Sequence, residues 1–283
     1  MEISSKSTFK EALAWASIFL RTHQFPAEHS RLYLLWLMDW NLTDYVNNKD
    51  QPLGQQTCLY LQDGFARIVQ DEPIQYIVGY QDFNGRRFQV SPATLIPREE
   101  TTGILTLARP FLLKHPQARV LDIGTGTGVL AINLKLDYPE IDMVASDISA
   151  AALEIARLNG QSYQVDVHWC LSDLFSNLAE ESFDLIVSNP PYIGQDELYL
   201  MDQSVIKYEP KVALFADYHG LVIYQDLAQV ASQHLKPGGQ MILEMGYQQA
   251  QALKQIFHKH SDYRQISIHQ DFNGLDRFIT IES

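Results

Sequence analysis

Cysteine, basic charge and long apolar runs are scarce in this sequence, and each scarcity excludes a class of protein. The two cysteines, Cys58 and Cys170, lie far apart and form no metal-binding or redox motif, so we expect free thiols in a reducing compartment. Basic residues number 21 against 34 acidic ones, and the formal net charge of −13 argues against a protein that grips nucleic acid through its phosphates. No apolar run approaches the roughly 18 residues that a membrane-spanning helix needs.

Signals for a metal site and for export are also missing. The closest histidine pair, His258 and His260, has a spacing that puts the two rings on different faces of a helix, so the sequence predicts no metal site. The start, Met1 to Lys10, is polar and contains no apolar signal segment. We therefore expect a cytoplasmic protein with no membrane partner. Its hydrophobic content of 46% is ample for a core.

Residues 1–73 show helical periodicity and few glycines or prolines, which predicts a small helical bundle as a first domain. Pro73 is expected to end this bundle, because proline has no backbone N–H to continue a helix. Three helices are expected: Phe9 to Leu20, a helix capped by Ser30 that runs through Trp40, and Thr57 to Gln70.

Residues 74–97 change to a strand pattern around Asn84-Gly85, a pair that is typical of a two-residue hairpin turn. We expect strands at Gln75 to Tyr80 and at Arg87 to Val90, so that this segment forms a β-hairpin linker between two domains. An apolar helix that ends near Arg109 is expected to follow.

Residues 98–283 alternate strands with helices, which predicts an α/β fold. We expect a mostly parallel seven-stranded sheet with helices on both faces and a terminal antiparallel hairpin. The expected parallel strands are Val120 to Ile123, Met143 to Asp147, Val165 to Cys170, Phe183 to Ser188 and Gln240 to Glu244, and the terminal pair is Ser267 to His269 with Arg277 to Ile281.

A glycine-rich turn, Gly124-Thr125-Gly126-Thr127-Gly128, follows the first of these strands and lets a ligand approach the backbone closely. Asp122 precedes the turn, and an acid there would repel a pyrophosphate. The pattern suits a ligand that carries an ammonium and a sulfonium, such as S-adenosylmethionine. Asp147 is placed to accept the ribose hydroxyls. Asp173 is placed to accept the adenine amino group, with Leu174 and Phe175 flanking the ring.

Each of these features also has a purely structural explanation. The glycines can serve the turn alone, Asp147 can cap the next helix, and Asp173 can start a turn. Three strand-end acids in order, together with the glycine turn, favour the ligand site over these alternatives.

The stretch Ser188-Asn189-Pro190-Pro191-Tyr192 ends the fourth strand, because neither proline can donate to a ladder. It forms a stiff rim at the carboxyl end of a strand, where open α/β sheets bind ligands. The Asn189 amide, the Pro190 carbonyl and the Tyr192 ring together suit a planar group that carries an NH2. The alternative is a Pro-Pro turn that only terminates the strand.

These motifs resemble the class I S-adenosylmethionine-dependent methyltransferases, which have a Rossmann-like domain, and the Asn-Pro-Pro-Tyr stretch resembles the branch that methylates amino groups on planar systems. The whole chain resembles the protein-(glutamine-N5) methyltransferases that modify peptide chain release factors. It departs from them where Thr102 follows Thr101, since that family usually has Thr-Glu. The matching stretches are Glu72 to Ile77, Phe88 to Val90, Ile96-Pro97-Arg98, the glycine turn, Ser188 to Tyr192, Glu209-Pro210, and Asp271 with Gly274, Asp276 and Arg277.

The resemblance implies methyl transfer from S-adenosylmethionine, leaving S-adenosylhomocysteine, to N5 of the glutamine in the Gly-Gly-Gln motif of class 1 release factors. It implies a methyltransferase domain over 98–283 and partner binding by 1–73. The implied catalytic residues are Asn189, Pro190 and Tyr192, and the substrate is expected to contact these and Pro191. The implied cofactor-binding residues are Asp122, Gly124, Thr125, Gly126, Thr127, Gly128, Asp147, Asp173, Leu174 and Asn189.

Two other functions stay open at this stage. DNA adenine and ribosomal RNA methyltransferases share the Asn-Pro-Pro-Tyr motif, although the acidic composition weighs against them. An adaptor with a decayed pocket is the non-enzymatic alternative, and the intact Asn189 and strand-end acids weigh against it.

Overall fold

The structure is a computed structural model, and it describes residues 3–283. The chain divides into two compact units. Residues 3–79 and Asp202–Tyr208 form a helical unit, and Tyr80–Met201 with Glu209–Ser283 form an α/β unit. None of the helices described in residues 3–283 has the length and apolar content that crossing a bilayer requires.

The helical unit has an apolar core that includes Phe9, Leu61 and Phe65. Thr8 caps the first helix in a reciprocal pair of hydrogen bonds with Glu11. The helices are α1 (Phe9–Thr22), α2 (Glu28–Met38), α3 (Leu42–Asn48), α4 (Gln55–Ile68), α5 (Ile74–Val78) and α9 (Gln203–Tyr208).

The expected helix cap at Ser30 is wrong. Helix α2 begins two residues earlier, at Glu28, and ends at Met38 rather than Trp40. Ser30 lies inside its first turn and is buried, where its hydroxyl donates to the Ala27 carbonyl (2.6 Å) and lies 2.9 Å from the Ser17 hydroxyl. A buried serine satisfied in this way has no need of the capping position.

The expected strand at Gln75 to Tyr80 is also wrong, because this stretch forms helix α5. Pro73 precedes the helix and Gly79 ends it in the left-handed conformation, with φ of 83°. The hairpin itself is present, with strands β1 (Tyr80–Phe83) and β2 (Arg86–Gln89). Asn84 and Gly85 both have positive φ, as a two-residue turn of this type requires. The hairpin packs Phe83 and Phe88 against Val129 and Ile132 of the α/β unit.

The α/β unit contains the expected seven-stranded sheet, in the order β5-β4-β3-β6-β7-β9-β8. The first five strands in this order are parallel, and β9 runs antiparallel to both β7 and β8. The strands are β3 (Arg119–Ile123), β4 (Asp142–Asp147), β5 (His168–Leu171), β6 (Phe183–Ser188), β7 (Leu235–Glu244), β8 (Gln265–Gln270) and β9 (Asp276–Glu282).

Helices cover both faces of this sheet, and two apolar clusters fill the space between them. The helices are α6 (Thr102–Lys114), α7 (Val129–Asp137), α8 (Ala150–Tyr163), α10 (Lys211–Leu214), α11 (Asp217–Gly220), α12 (Val222–Val230) and α13 (Ala250–His258), with 3-10 turns at Glu99–Thr101, Gln195–Leu200 and Ala231–Gln233.

Three predicted boundaries differ because tertiary packing overrides local signals. Helix α6 continues through Pro110, past the expected end at Arg109, and its last turn carries Leu112 into the core. Strand β5 starts at His168 rather than Val165. Strand β7 starts at Leu235 rather than Gln240, with an irregularity in its pairing to β6.

Candidate active site

A cavity opens at the carboxyl ends of the parallel strands, where the strand order reverses. Strands β4 and β5 lie on one side of β3, and β6 and β7 lie on the other, which is the position where open α/β sheets bind ligands. The lining comes from the glycine turn, the ends of β3, β4 and β6, the segments after β2 and β5, and helices α7, α8, α10 and α12. The lining residues are Ala93, Thr94, Leu95, Pro97, Arg98, Thr101, Ile123, Gly124, Thr125, Gly126, Thr127, Val129, Leu130, Asp147, Ile148, Ser149, Ala152, Ser172, Asp173, Leu174, Ser188, Asn189, Pro190, Pro191, Val212, Ala213 and Ile223.

The glycine turn is fastened to the end of the neighbouring strand β4. The Thr125 N–H donates to the Ser146 carbonyl (2.9 Å), and the Gly126 N–H donates to Asp147 Oδ2 (2.9 Å). Gly126 has φ of 55°, a conformation that glycine adopts without strain. Gly128 lies off the cavity wall, where an added Cβ would crowd Ile132 at 3.0 Å. The turn is therefore a fixed cradle whose backbone faces the cavity.

Asp122 lies behind this turn and not on the cavity wall. Its Oδ2 accepts from the Thr125 hydroxyl (2.7 Å) and from the Ala131 N–H (3.3 Å), so it ties the turn to α7. Its Oδ1 is buried and has no hydrogen-bond partner among the described residues. Burial raises the pKa of this carboxyl to about 7, and the two hydrogen bonds offset only part of this rise.

Asp147 ends β4 and reaches the cavity wall. Its Oδ1 accepts from the Ser149 N–H (2.8 Å), and its Oδ2 accepts from Gly126 as described above. Burial is the largest cause of its raised pKa. The cap of α8 is a different residue, because the Ser149 hydroxyl accepts from the Ala152 N–H (3.2 Å). Asp147 therefore organises two turns at once, and its two oxygens keep lone pairs for a ligand.

The segment after β5 brings Asp173 and Leu174 to the wall, but not Phe175. Asp173 is exposed, and Leu174 has φ of 45°, an uncommon conformation for a residue other than glycine. The Ser172 hydroxyl donates to the Leu174 carbonyl (2.9 Å) and helps to hold it there. The expectation that Phe175 flanks a ligand is wrong. Its ring is buried and stacks on His234, with centroids 4.1 Å apart.

The Asn189-Pro190-Pro191 rim follows β6 and lies on the cavity wall. The Asn189 Nδ2 donates to the Thr101 hydroxyl (3.0 Å). Tyr192, which follows the rim, is not on the wall. Its hydroxyl donates to Glu244 Oε1 (3.3 Å), and burial together with this carboxylate raises the pKa of the phenol. The Tyr192 side chain thus anchors the rim from behind.

The segment before helix α6 brings together two stretches that are far apart in sequence, Ile96-Pro97-Arg98 and Glu209-Pro210. Ile96-Pro97-Arg98 is held by Glu209, whose Oε2 accepts from the Ile96 N–H (3.0 Å) and whose Oε1 lies 2.5 Å from Arg98 Nη2. Glu209 is buried, and its carboxylate is satisfied by the Ile96 N–H and the Arg98 guanidinium. These contacts fix the loop before the 3-10 turn at Glu99–Thr101.

Thr101 and Glu244 are among the polar residues of this site that were not predicted from the sequence. The Thr101 hydroxyl donates to Glu244 Oε2 (2.7 Å), and both residues are buried. A sequence signal for Glu244 exists, because it is an acid at the end of the apolar strand β7, as Asp147 is for β4. Thr101 has no such signal, since only the folded chain brings it beside Asn189.

The strand order, the glycine turn and the strand-end site define the fold of the class I methyltransferases. A family model described as "Methyltransferase small domain" matches residues 104–211, and one described as "PrmC N-terminal domain" matches residues 11–79. The crystal structure of a methyltransferase from Pyrococcus furiosus is similar in fold, with a TM-score of 0.50 and 19% identity over 78% of this chain and 98% of that one.

Curated relatives identify the family within this class. The release factor glutamine methyltransferase of Lactococcus lactis is 40% identical over 253 residues, covering 89% of this chain and 93% of that protein. The enzyme of the same name from Enterococcus faecalis is 36% identical over 274 residues, covering 96% and 98%. The chain therefore belongs to the release factor glutamine methyltransferases.

Proposed function

We propose that this protein transfers a methyl group from S-adenosylmethionine to N5 of the glutamine in the Gly-Gly-Gln motif of class 1 peptide chain release factors, in the cytoplasm. The observation that carries the proposal is that the Asn189-Pro190-Pro191 rim and the cradle of glycine turn and Asp147 line one cavity. The chain covers nearly the whole length of relatives that bear the name of this activity.

The side chains around the cavity fit S-adenosylmethionine. Behind the glycine turn, and off the cavity wall, Asp122 keeps a buried carboxylate oxygen without a hydrogen-bond partner among the described residues, and a cationic group bound in the cavity would stabilise its ionised form. Asp147 would hold the ribose hydroxyls, and Asp173 with Leu174 would hold the adenine. When bound, this cofactor supplies a methyl group on a sulfonium and leaves as S-adenosylhomocysteine.

The rim residues would position the substrate amide. An amide nitrogen is a poor nucleophile, because its lone pair is delocalised into the carbonyl, so orientation matters more than proton transfer. The Asn189 Oδ1 and the Pro190 carbonyl would each accept one N–H of the glutamine side chain. Both hydrogen bonds strengthen as positive charge develops on the nitrogen, which stabilises the transition state more than the bound substrate. The nitrogen gains the methyl group and releases one proton to solvent.

The helical unit is proposed to contact the release factor outside the glutamine loop. A single loop glutamine offers little contact area, and a stable interface needs considerably more. Helices α1 and α4 expose apolar side chains such as Ile18 (64% exposed) and Leu59 (54%). An intact factor should therefore be methylated much faster than a short peptide with the same Gly-Gly-Gln sequence, and equal kcat/KM values for the two would exclude this contact.

The substrate class is tested by incubating the protein with a methyl-labelled cofactor and either a class 1 release factor or duplex DNA. We expect label on the release factor alone. Label on DNA would favour an adenine methyltransferase instead. Label on neither, in a protein that binds the cofactor, would favour the adaptor with an inactive pocket.

The raised pKa of Asp122 leads to a pH-dependent affinity for the cofactor. A cationic ligand favours the ionised carboxylate, so the affinity should rise as pH increases through about 7 and level off above it, and binding should release protons near that pH. Calorimetric titration in buffers of different ionisation enthalpy measures both effects.

The matched control is Asp122→Asn, which keeps an oxygen to accept from Thr125 and Ala131 and cannot ionise. It should bind the cofactor more weakly above pH 7 and lose the pH dependence. An unchanged pH profile in this variant would assign the titration to another group and would show that Asp122 does not act on the bound cofactor.

A further inference from the structure

A chain of hydrogen bonds runs from the Asn189 amide into the interior of the α/β unit. The Asn189 Nδ2 donates to Thr101 Oγ1 (3.0 Å), and Thr101 Oγ1 donates to Glu244 Oε2 (2.7 Å). The other oxygen of Glu244 accepts from the Tyr192 hydroxyl (3.3 Å). Thr101 and Glu244 are 3% and 2% exposed, so water has little access to the inner part of this chain.

The chemistry of these groups fixes which atom donates and which accepts in each of these hydrogen bonds. An ionised carboxylate only accepts hydrogen bonds, so the single hydroxyl hydrogen of Thr101 must point to Glu244. Thr101 can then only accept from Asn189, and this requires the NH2 side of the Asn189 amide. The Asn189 Oδ1 is left on the other side, where it makes no hydrogen bond within residues 3–283. Asn189 itself lines the cavity.

We propose that Thr101 and Glu244 are positioning residues that fix the Asn189 amide with its oxygen toward the substrate, so that the site selects a side chain that donates N–H and rejects one that only accepts. This inference rests on the proposed function. Its consequence is a preference for glutamine over glutamate at the same position of the partner, because a glutamate carboxylate would face the Asn189 oxygen.

The ionisation of Glu244 is the condition for this direction. Burial raises the pKa of Glu244 to about 7, while the Thr101 hydrogen bond and the Arg277 guanidinium oppose this rise. The other ionisable groups that act on it are Tyr192, Glu100 and Tyr224. When Glu244 is protonated it can donate to Thr101, and the Thr101 hydroxyl can then donate to the Asn189 Oδ1. The Asn189 amide would then be turned over, with its NH2 group toward the substrate. Turnover at saturating cofactor should therefore rise with pH through about 7.

The test compares Thr101→Val, which keeps the shape and removes the hydroxyl, with Thr101→Ser, which keeps the hydroxyl. Each variant is assayed on a release factor, and a factor in which glutamate replaces the glutamine serves as a competitive inhibitor. We expect Thr101→Val to lower kcat about tenfold, the scale of one lost hydrogen bond, with unchanged cofactor affinity. We expect Thr101→Ser to stay within about twofold of the wild type, since its hydroxyl can still make both bonds.

The inhibitor constant separates positioning from a structural role. In the wild type the glutamate factor should inhibit weakly, and in Thr101→Val it should inhibit more strongly, because the amide can now turn and donate to the carboxylate. A loss of activity with unchanged selectivity between glutamine and glutamate, or no loss at all, would overturn the inference. If the wild type methylates no release factor, the proposed function fails instead, and the two failures are therefore distinguishable.

Discussion

Asn189→Ala is expected to lower the single-turnover rate of methyl transfer about 10²-fold or more, the scale for a reacting group that loses its positioning contact. The fold and the affinity for S-adenosylmethionine should stay close to those of the wild type, because the residue lies on the rim of the cavity and not in an apolar cluster. Calorimetric titration of the cofactor and thermal unfolding serve as the controls.

Asn189→Asp is the sharper comparison. Aspartate keeps an acceptor oxygen of the same size, so it should retain more activity than alanine if Asn189 accepts from the substrate N–H. If Asn189 instead donates to the substrate carbonyl, aspartate should be as poor as alanine or worse, because a carboxylate would then face a carbonyl oxygen. Wild-type rates for both variants would mean that the Asn189-Pro190-Pro191 stretch only terminates strand β6 and takes no part in methyl transfer.

Asp147→Ala is expected to weaken the binding of S-adenosylmethionine by about 1.5–3 kcal/mol, the value of a hydrogen bond to a charged acceptor, which is roughly ten- to hundredfold in Kd. Part of this loss of affinity comes from lost hydrogen bonds within the protein, because the carboxylate also accepts from the backbone N–H groups of Gly126 and Ser149. Titration calorimetry on the folded variant measures the total.

Ser149→Ala is the matched control for this prediction. It removes the cap of α8, the hydrogen bond from the Ala152 N–H to the Ser149 hydroxyl, and leaves the Asp147 carboxylate in place. If Asp147→Ala weakens the binding of S-adenosylmethionine no more than Ser149→Ala does, Asp147 does not hold the ribose hydroxyls. The effect is then explained by ordering of the start of α8.

Much of the α/β unit could be predicted from the sequence, because its signals are local. The alternation of apolar strands with helices predicts the parallel sheet, and an acid or asparagine after a strand is brought to the carboxyl edge by the sheet itself. The positions of Asp147, Asp173 and Asn189 on one cavity follow from that rule.

Some features could not be predicted because the local signal is ambiguous, and others because they depend on contacts between distant segments. Helix α5 replaces the expected strand because Pro73 and Gly79 delimit a turn of helix, and a five-residue apolar run does not distinguish the two structures. Phe175 packs against His234, about sixty residues away in sequence, rather than toward the cavity. The hydrogen bonds from Asn189 through Thr101 to Glu244 join three segments that carry no common motif.

The most direct test of the proposed function is to locate the methyl group on a class 1 release factor after incubation with this protein and S-adenosylmethionine. Fragment mass spectrometry of the Gly-Gly-Gln peptide should show the added mass of one methyl substitution on the glutamine side chain, and nuclear magnetic resonance of the same peptide should assign it to N5. Methylation of any other residue or of the peptide backbone, or an unmodified glutamine in a factor that carries label, would contradict the proposal.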